Sequence, residues 1–158
     1  TAGDEDGTRD RATACFAAVA DTAKAAGVLY CIEALAPQDA EFINRVSEAA
    51  AMVDVIGSPR VRTMLDCCAA ARLDEETPAD LIDRWLPSGH MAHVQVNDGN
   101  GQGPGQGDLD FKPILAALQR HGYAGTVAVE PFDYVPDGPA AAARAIGYLR
   151  GIEEALRV

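Results

Sequence analysis

Four short apolar runs, rich in β-branched residues, alternate along this chain with segments of helical spacing. The runs lie at residues 28–35, 61–68, 91–96 and 126–132. A helical segment at residues 8–26 precedes the first run, and others follow each run in turn. A repeated strand–helix order requires parallel strands joined by right-handed crossovers. The pattern therefore predicts an α/β fold of parallel strands in a single domain, residues 1–158.

Capping residues indicate where the predicted helices begin and end. Gly27 stands where a left-handed residue would end the first helix, Thr77 followed by a proline begins a short helix, and Asp110 can cap another. Amphipathic helices are expected at residues 39–56, 111–120 and 143–156.

The composition argues against several classes of partner. The 13 Lys and Arg residues against 24 Asp and Glu residues give a net charge of −11, which repels nucleic acid phosphates. No run of about 18 apolar residues is present and no secretory signal is recognised, so we expect no membrane span and a cytoplasmic location. The glycines at residues 99–107 lack the spacing and the Lys of a phosphate-binding loop. The four cysteines lack the spacing of a zinc knuckle.

A polar residue stands near the end of each predicted strand, roughly every 30 residues. These residues are Glu33, Asp66, Gln95 and Glu130. The carboxyl ends of parallel strands meet at one rim, so the four side chains are expected to converge. Three clustered carboxylates repel one another and raise one another's pKa unless a cation neutralises them. The all-oxygen set therefore predicts a divalent ion such as Mn²⁺, Mg²⁺ or Co²⁺ rather than structural zinc.

The spacing of these four residues does not by itself identify a reaction. A single acid at a strand end is usually a helix cap or a solvated residue of the rim. His93 lies two residues before Gln95 and should point to the same face, where it either supports the metal ion or the substrate, or is a structural histidine.

Four segments taken together resemble a known family. They are CIEAL (31–35), LDCCAA (65–70), AHVQVND (92–98) followed by GPGQGD (103–108), and VAVEPFDY (127–134). They are similar to the last four strands of the xylose isomerase-like sugar isomerase and epimerase family, which includes hydroxypyruvate isomerases and ketose 3-epimerases. The resemblance implies a (βα)₈ TIM barrel, of which this chain would form the C-terminal half.

A complete barrel of this kind needs about 250 residues, so half a barrel leaves three interpretations. The chain is part of a longer protein, or a half-barrel that pairs with itself or another chain, or a four-stranded layer that closes differently. The first two are favoured, and a homo-oligomer is one form of the second. Residues 1–3 are interpreted as the end of the fourth strand and its loop.

The resemblance also implies an activity. Glu33, Asp66, Gln95 and Glu130 would bind one divalent ion, and the two glutamates would exchange protons with the carbon beside the carbonyl of a small sugar or hydroxy-keto substrate. Proton transfer through an enediolate makes the protein an isomerase or epimerase. The alternatives are a metal-dependent dehydratase or lyase on the same scaffold, and a non-catalytic half-barrel that serves as a binding or partner subunit.

Two positions depart from the family's pattern. The family often has a His three residues after the metal-binding Asp, where this chain has Ala69. It also tends to have an Arg in the loop before GPGxG, where this chain reads GNGQ at residues 99–102. Both groups would orient the substrate and stabilise its negative charge, so their loss weakens these functions.

Overall fold

A computed structural model describes residues 5–73 and 75–157. Four strands form one parallel sheet whose spatial order, β1-β2-β3-β4, follows the sequence. The strands are β1 (Tyr30–Ile32), β2 (Val61–Asp66), β3 (Met91–Val96) and β4 (Val127–Val129). The helices are α1 (Glu5–Ala18), α2 (Ala20–Ala26), α3 (Val46–Ile56), α4 (Cys67–Leu73), α5 (Pro78–Trp85), α6 (Phe111–Arg120) and α7 (Gly138–Leu156). The predicted parallel α/β arrangement is confirmed, while the interpretation of residues 1–3 lies outside the described residues.

The main hydrophobic core packs alternate side chains of the central strands against the helices. Leu65 of β2 and Val94 of β3 are buried with Ile82 of α5 and with Phe111 and Ile114 of α6. Successive side chains of a strand point to opposite faces. Asp66 and Gln95, which each follow one of these core residues directly, therefore face the other side of the sheet, away from this core.

The predicted caps are confirmed. Gly27 ends α2 with a left-handed φ of 72°. The Thr77 hydroxyl accepts a hydrogen bond from the backbone N–H of Asp80 at the start of α5, and the Asp110 carboxylate accepts one from Lys112 at the start of α6.

Three helix predictions were wrong in extent, one of them because α7 begins at Gly138 instead of residue 143. The segment 8–26 contains two helices separated at Val19, and the helix predicted over 39–56 begins only at Val46. The backbone of Ile43 has a left-handed φ of 59°, which a continuous right-handed helix cannot contain. The side chain of Asn44 stabilises the preceding loop by donating to the carbonyl oxygens of Leu35 and Ala40.

Three of the four strands are shorter than predicted. The first and last are three residues long each, and both lie at edges of the described sheet. The second ends at Asp66 instead of residue 68, because α4 begins at Cys67. A short helix immediately after β2 was not predicted.

The two edges of the sheet lie beside exposed apolar residues. Val28 and Leu29, just before β1, are about half exposed, and Phe132, Tyr134 and Val135, after β4, are more than half exposed. No described strand pairs with the outer edge of β1 or β4. None of the described helices is long and apolar enough to cross a membrane.

Candidate metal centre

The structure brings together the three carboxylates that the sequence placed at strand ends. Asp66 is the last residue of β2, while Glu33 and Glu130 directly follow β1 and β4. One carboxylate oxygen from each of the three lies within 4.8 Å of the other two. This spacing is short enough for the three groups to bind one ion, so the expected convergence of these side chains is observed.

The three acids stand in an unfavourable electrostatic environment. Burial first, and then the nearby charges of Asp66 and Glu130, together raise the pKa of Glu33 to about 7. The pKa of Glu130 is also raised, first by burial, then by the charge of Asp66 and a hydrogen bond to it. Within the described ranges, no ion pair reaches any of these carboxylates. A divalent cation would relieve this repulsion.

Gln95 is the fourth residue that the sequence predicted for this site. It is the register partner of Asp66 on the neighbouring strand. Its Oε1 atom is buried and accepts no hydrogen bond in the described part of the chain. An unsatisfied buried carbonyl oxygen costs roughly 1–3 kcal/mol, which coordination to a cation would offset. The donor set thus fits a hard or borderline divalent ion, and no thiolate or imidazole belongs to the acidic cluster.

Asn97, which is fully buried, links three of the segments that form this site. Its Nδ2 atom donates to Asp66 Oδ2 at 2.8 Å and to the backbone oxygen of Glu130 at 3.2 Å. Its Oδ1 atom accepts the N–H of Cys68 at 2.7 Å. The other oxygen of Asp66 accepts the N–H of Ala69 at 2.6 Å. These bonds fix the Asp66 carboxylate between the end of β2 and the first turn of α4.

Asp98, also buried, organises the glycine-rich loop that follows β3. Its Oδ1 atom accepts the N–H groups of Gly99 and Leu109, and its Oδ2 atom accepts that of Gly107. A Cβ atom at Gly107 would lie 2.2 Å from Asp98 Oδ1, so only glycine permits this approach. The glycine-rich loop is therefore held by one carboxylate at both of its ends.

Replacing Asp98 by Ala is expected to reduce the free energy of unfolding by about 2–4 kcal/mol, because three partly buried hydrogen bonds to its carboxylate are lost. Chemical denaturation measures this loss. Asp108→Ala is the matched control: Asp108 lies in the same loop, is exposed and should change stability by less than about 0.5 kcal/mol. Equal effects of the two substitutions would contradict the role of Asp98.

The other predicted site residue, His93, lies deeper in the sheet. It pairs in register with Met64, two steps before the pair of Asp66 and Gln95, and it is half-buried. It does not donate to Gln95 Oε1, which has no described partner. Its support of the metal site stays a prediction.

Sequence reasoning missed Asn97 and Asp98 as residues of the site. The signal that indicates them is a pair of short polar residues directly after a β-branched strand, at the point where the glycine loop begins. Such residues commonly bond to nearby backbone groups, but their partners 31 and 11 residues away cannot be read from the sequence.

The fold and the site together define a class: a partial parallel (βα) barrel with an acidic, all-oxygen centre at the carboxyl ends of its strands. The chain belongs to the xylose isomerase-like TIM barrel family, whose sequence profile matches residues 1–152. The expected TIM-barrel architecture, present here in part, is thereby confirmed.

Similar proteins include several sugar epimerases. D-psicose 3-epimerase of Enterocloster bolteae is 31% identical over 129 residues, which make up 82% of this chain and 42% of that protein. L-ribulose 3-epimerase of Mesorhizobium japonicum is 32% identical over 128 residues, 79% of this chain and 42% of that protein. A solved structure of L-ribulose 3-epimerase matches with a TM-score of 0.83 and 26% identity, covering 94% of this chain and 55% of that one. The chain thus spans less than half the length of these curated relatives.

Proposed function

We propose that this chain carries the metal-binding and proton-transfer residues of a divalent-metal-dependent epimerase or isomerase of a ketose or small hydroxy-keto compound. The observation that carries the proposal is the cluster of Glu33, Asp66 and Glu130, completed by the unpartnered Oε1 atom of Gln95. The ketose 3-epimerases among the similar proteins support the reaction class.

Glu33 and Glu130 suit the two proton transfers of such a reaction. They follow β1 and β4, the outer strands of the sheet, while Asp66 and Gln95 come from the two strands between them. Glutamates that flank the substrate can remove a proton from one face of a carbon and deliver one to the other. A bound divalent ion would polarise the substrate carbonyl and stabilise the enediolate charge. Without the ion, the pKa of Glu33 is about 7, so its carboxyl group takes up or releases a proton near neutral pH.

Solvent isotope exchange tests this reaction directly. Incubation of the full-length, Mn²⁺-loaded protein with D-psicose in D₂O should place deuterium on the carbon beside the carbonyl and yield the epimer or isomer. Product identification separates these outcomes from loss of a hydroxyl group, which would indicate a dehydratase. A folded, metal-loaded protein that exchanges no proton with any ketose would contradict the proposal.

One observation favours a second function, a metal-binding subunit without catalysis. At Ala69 the family often has a histidine, but here only the backbone N–H of that residue contacts the site, by donating to Asp66. Metal binding without isotope exchange would support this alternative.

The outer edges of β1 and β4 are unpaired in the described sheet. We propose that the edges of β1 and β4 pair with further βα units, supplied by the rest of a longer protein or by a second copy. The exposed residues Leu29 and Val135 beside these edges support the proposal, because such apolar surface gains stability when it is covered.

The affinity for Mn²⁺ is expected to depend on pH. The folded metal-free protein retains a proton on Glu33 up to about pH 7, and the ion must displace it. The affinity should therefore rise by up to about tenfold per pH unit below pH 7 and level off above it. Calorimetry in buffers of different ionisation enthalpy measures both the affinity and the released proton. An affinity that stays constant from about pH 5.5 to about 7.5 would contradict this linkage.

Glu33 also makes the stability of the metal-free protein depend on pH. The pKa of Glu33 is higher in the folded chain than its ordinary value of 4.5, so the folded state binds the proton more tightly than the unfolded state. The contribution of this group to stability is therefore present at low pH and is lost as the pH rises from about 4.5 to about 7.

A further inference from the structure

Arg72 in α4 reaches the loops that follow three different strands. Its Nε atom donates to the carbonyl oxygen of Gly99 at 3.1 Å, in the loop after β3. Its Nη1 atom lies 3.5 Å from Asp39 Oδ2, in the segment after β1. Its Nη2 atom and the ring of Phe132, after β4, both border the space above Gly101. The guanidinium group therefore lies where the loops of the metal-bearing strands meet.

Part of this guanidinium remains free to bind a ligand. The contact with Asp39 is long and that carboxylate is half exposed, whereas Arg45 and Arg84 form closer ion pairs with Glu75 and Glu76. Over residues 5–73 and 75–157, the Nη2 atom of Arg72 donates to no protein acceptor. The Arg72 side chain is 29% exposed, so solvent or a ligand can reach it.

Gly101 has no side chain, and this leaves room for the guanidinium group of Arg72. It has a φ of 81°, and a Cβ atom added there would lie 3.4 Å from Arg72 Nη2 and 3.3 Å from the Phe132 ring. A side chain at this position would compete with Arg72 for the same volume. The structure thus places a guanidinium from α4 against the loop at residues 99–102.

We propose that Arg72 is a substrate-binding residue whose guanidinium donates hydrogen bonds to the hydroxyl oxygens of a neutral ketose. This inference rests on the proposed function and specifies its substrate class. A guanidinium with a neighbouring carboxylate offers both donors and an acceptor, which matches hydroxyl groups that both accept and donate. The three carboxylates of the candidate metal centre and the net charge of −11 disfavour phosphorylated or carboxylated sugars.

The test compares Arg72→Ala and Arg72→Lys with Arg84→Ala in the full-length, Mn²⁺-loaded protein, with D-psicose as substrate. Loss of hydrogen bonds from a charged group should raise KM about 10- to 100-fold in Arg72→Ala, with a smaller effect on kcat. The KM of Arg72→Lys should lie between those of this variant and the parent, because lysine keeps the charge but lacks the planar guanidinium. Arg84→Ala should have the same KM and kcat as the parent. Added guanidinium ion should partly restore the KM of Arg72→Ala, which a purely structural role would not produce.

Several outcomes would overturn the inference. A KM for Arg72→Ala within about twofold of the parent, with Mn²⁺ binding intact, would remove Arg72 from the substrate site while leaving the proposed function in place. A preference of the parent for a phosphorylated ketose would refute the neutral substrate class. A parent protein that binds Mn²⁺ but turns over no ketose would overturn the proposed function and this inference together.

Discussion

Turnover by the metal-loaded protein is expected to fall about 10²- to 10⁴-fold when Glu130 is replaced by Gln, the range associated with loss of a general acid or base. The amide keeps an oxygen that can bind the ion, but it cannot take up a proton at neutral pH. Steady-state turnover of a ketose and deuterium exchange from D₂O both measure the effect. Turnover should decline for both epimers, whereas exchange should be lost only from the epimer whose proton faces Glu130, because Glu33 still serves the other face.

Two measurements make this result specific. Glu153→Gln, an exposed position in α7, is the matched control and should leave turnover unchanged. The Mn²⁺ content of Glu130→Gln must be determined as well, because metal loss alone would also abolish activity. Unchanged turnover in a metal-loaded Glu130→Gln protein would show that this carboxylate transfers no proton.

Replacing Asn97 by Ala is expected to lower the free energy of unfolding by about 2–4 kcal/mol and to weaken Mn²⁺ binding about 10- to 100-fold. The substitution removes a hydrogen-bond partner from each of three groups: an Asp66 oxygen, the Cys68 N–H and the Glu130 carbonyl. The Asp66 carboxylate then loses the bond that orients it toward the other acids. Denaturation of the metal-free protein and Mn²⁺ calorimetry measure the two effects separately.

Gln38→Ala provides the amide control for this experiment, because Gln38 is exposed in a turn. It should alter neither stability nor affinity. Asn97→Asp should be more damaging than Asn97→Ala at neutral pH, because it places a second carboxylate against Asp66. If Asn97→Ala is destabilised but binds Mn²⁺ as the parent does, then Asn97 stabilises the fold without positioning the metal ligand.

The sequence was sufficient to predict the parallel sheet and the convergence of the acids. Each strand is a short apolar run, and the chain order of strands and helices restricts the topology to parallel neighbours. Glu33, Asp66 and Glu130 were identified because a charged residue at the end of an apolar run stands out. Their meeting at one rim follows from the parallel direction of the strands.

The start of α4 depends on contacts that sequence periodicity does not contain. Cys67 and Cys68 continue the apolar run of β2, so a strand to residue 68 was predicted. The helix begins there because Asp66 accepts the N–H of Ala69 and Asn97, far along the chain, accepts that of Cys68. Both acceptors satisfy N–H groups of the first helical turn, which have no partner within the helix.

The position of Arg72 also depends on contacts that the sequence pattern does not contain. The absence of an Arg in the glycine loop can be read from the sequence. The arrival of another guanidinium from α4 requires the three-dimensional structure, because only the structure places Arg72 beside Gly99 and Gly101.

The central claim is that Glu33, Asp66, Gln95 and Glu130 bind one divalent ion. Calorimetric titration of the metal-free, full-length protein with Mn²⁺ tests it most directly, using the parent and a variant that combines Glu33→Gln with Asp66→Asn. We predict one ion per chain in the parent and no measurable binding in the folded variant. A folded parent that binds no Mn²⁺, or a variant that binds it with the parent's stoichiometry and affinity, would contradict the claim.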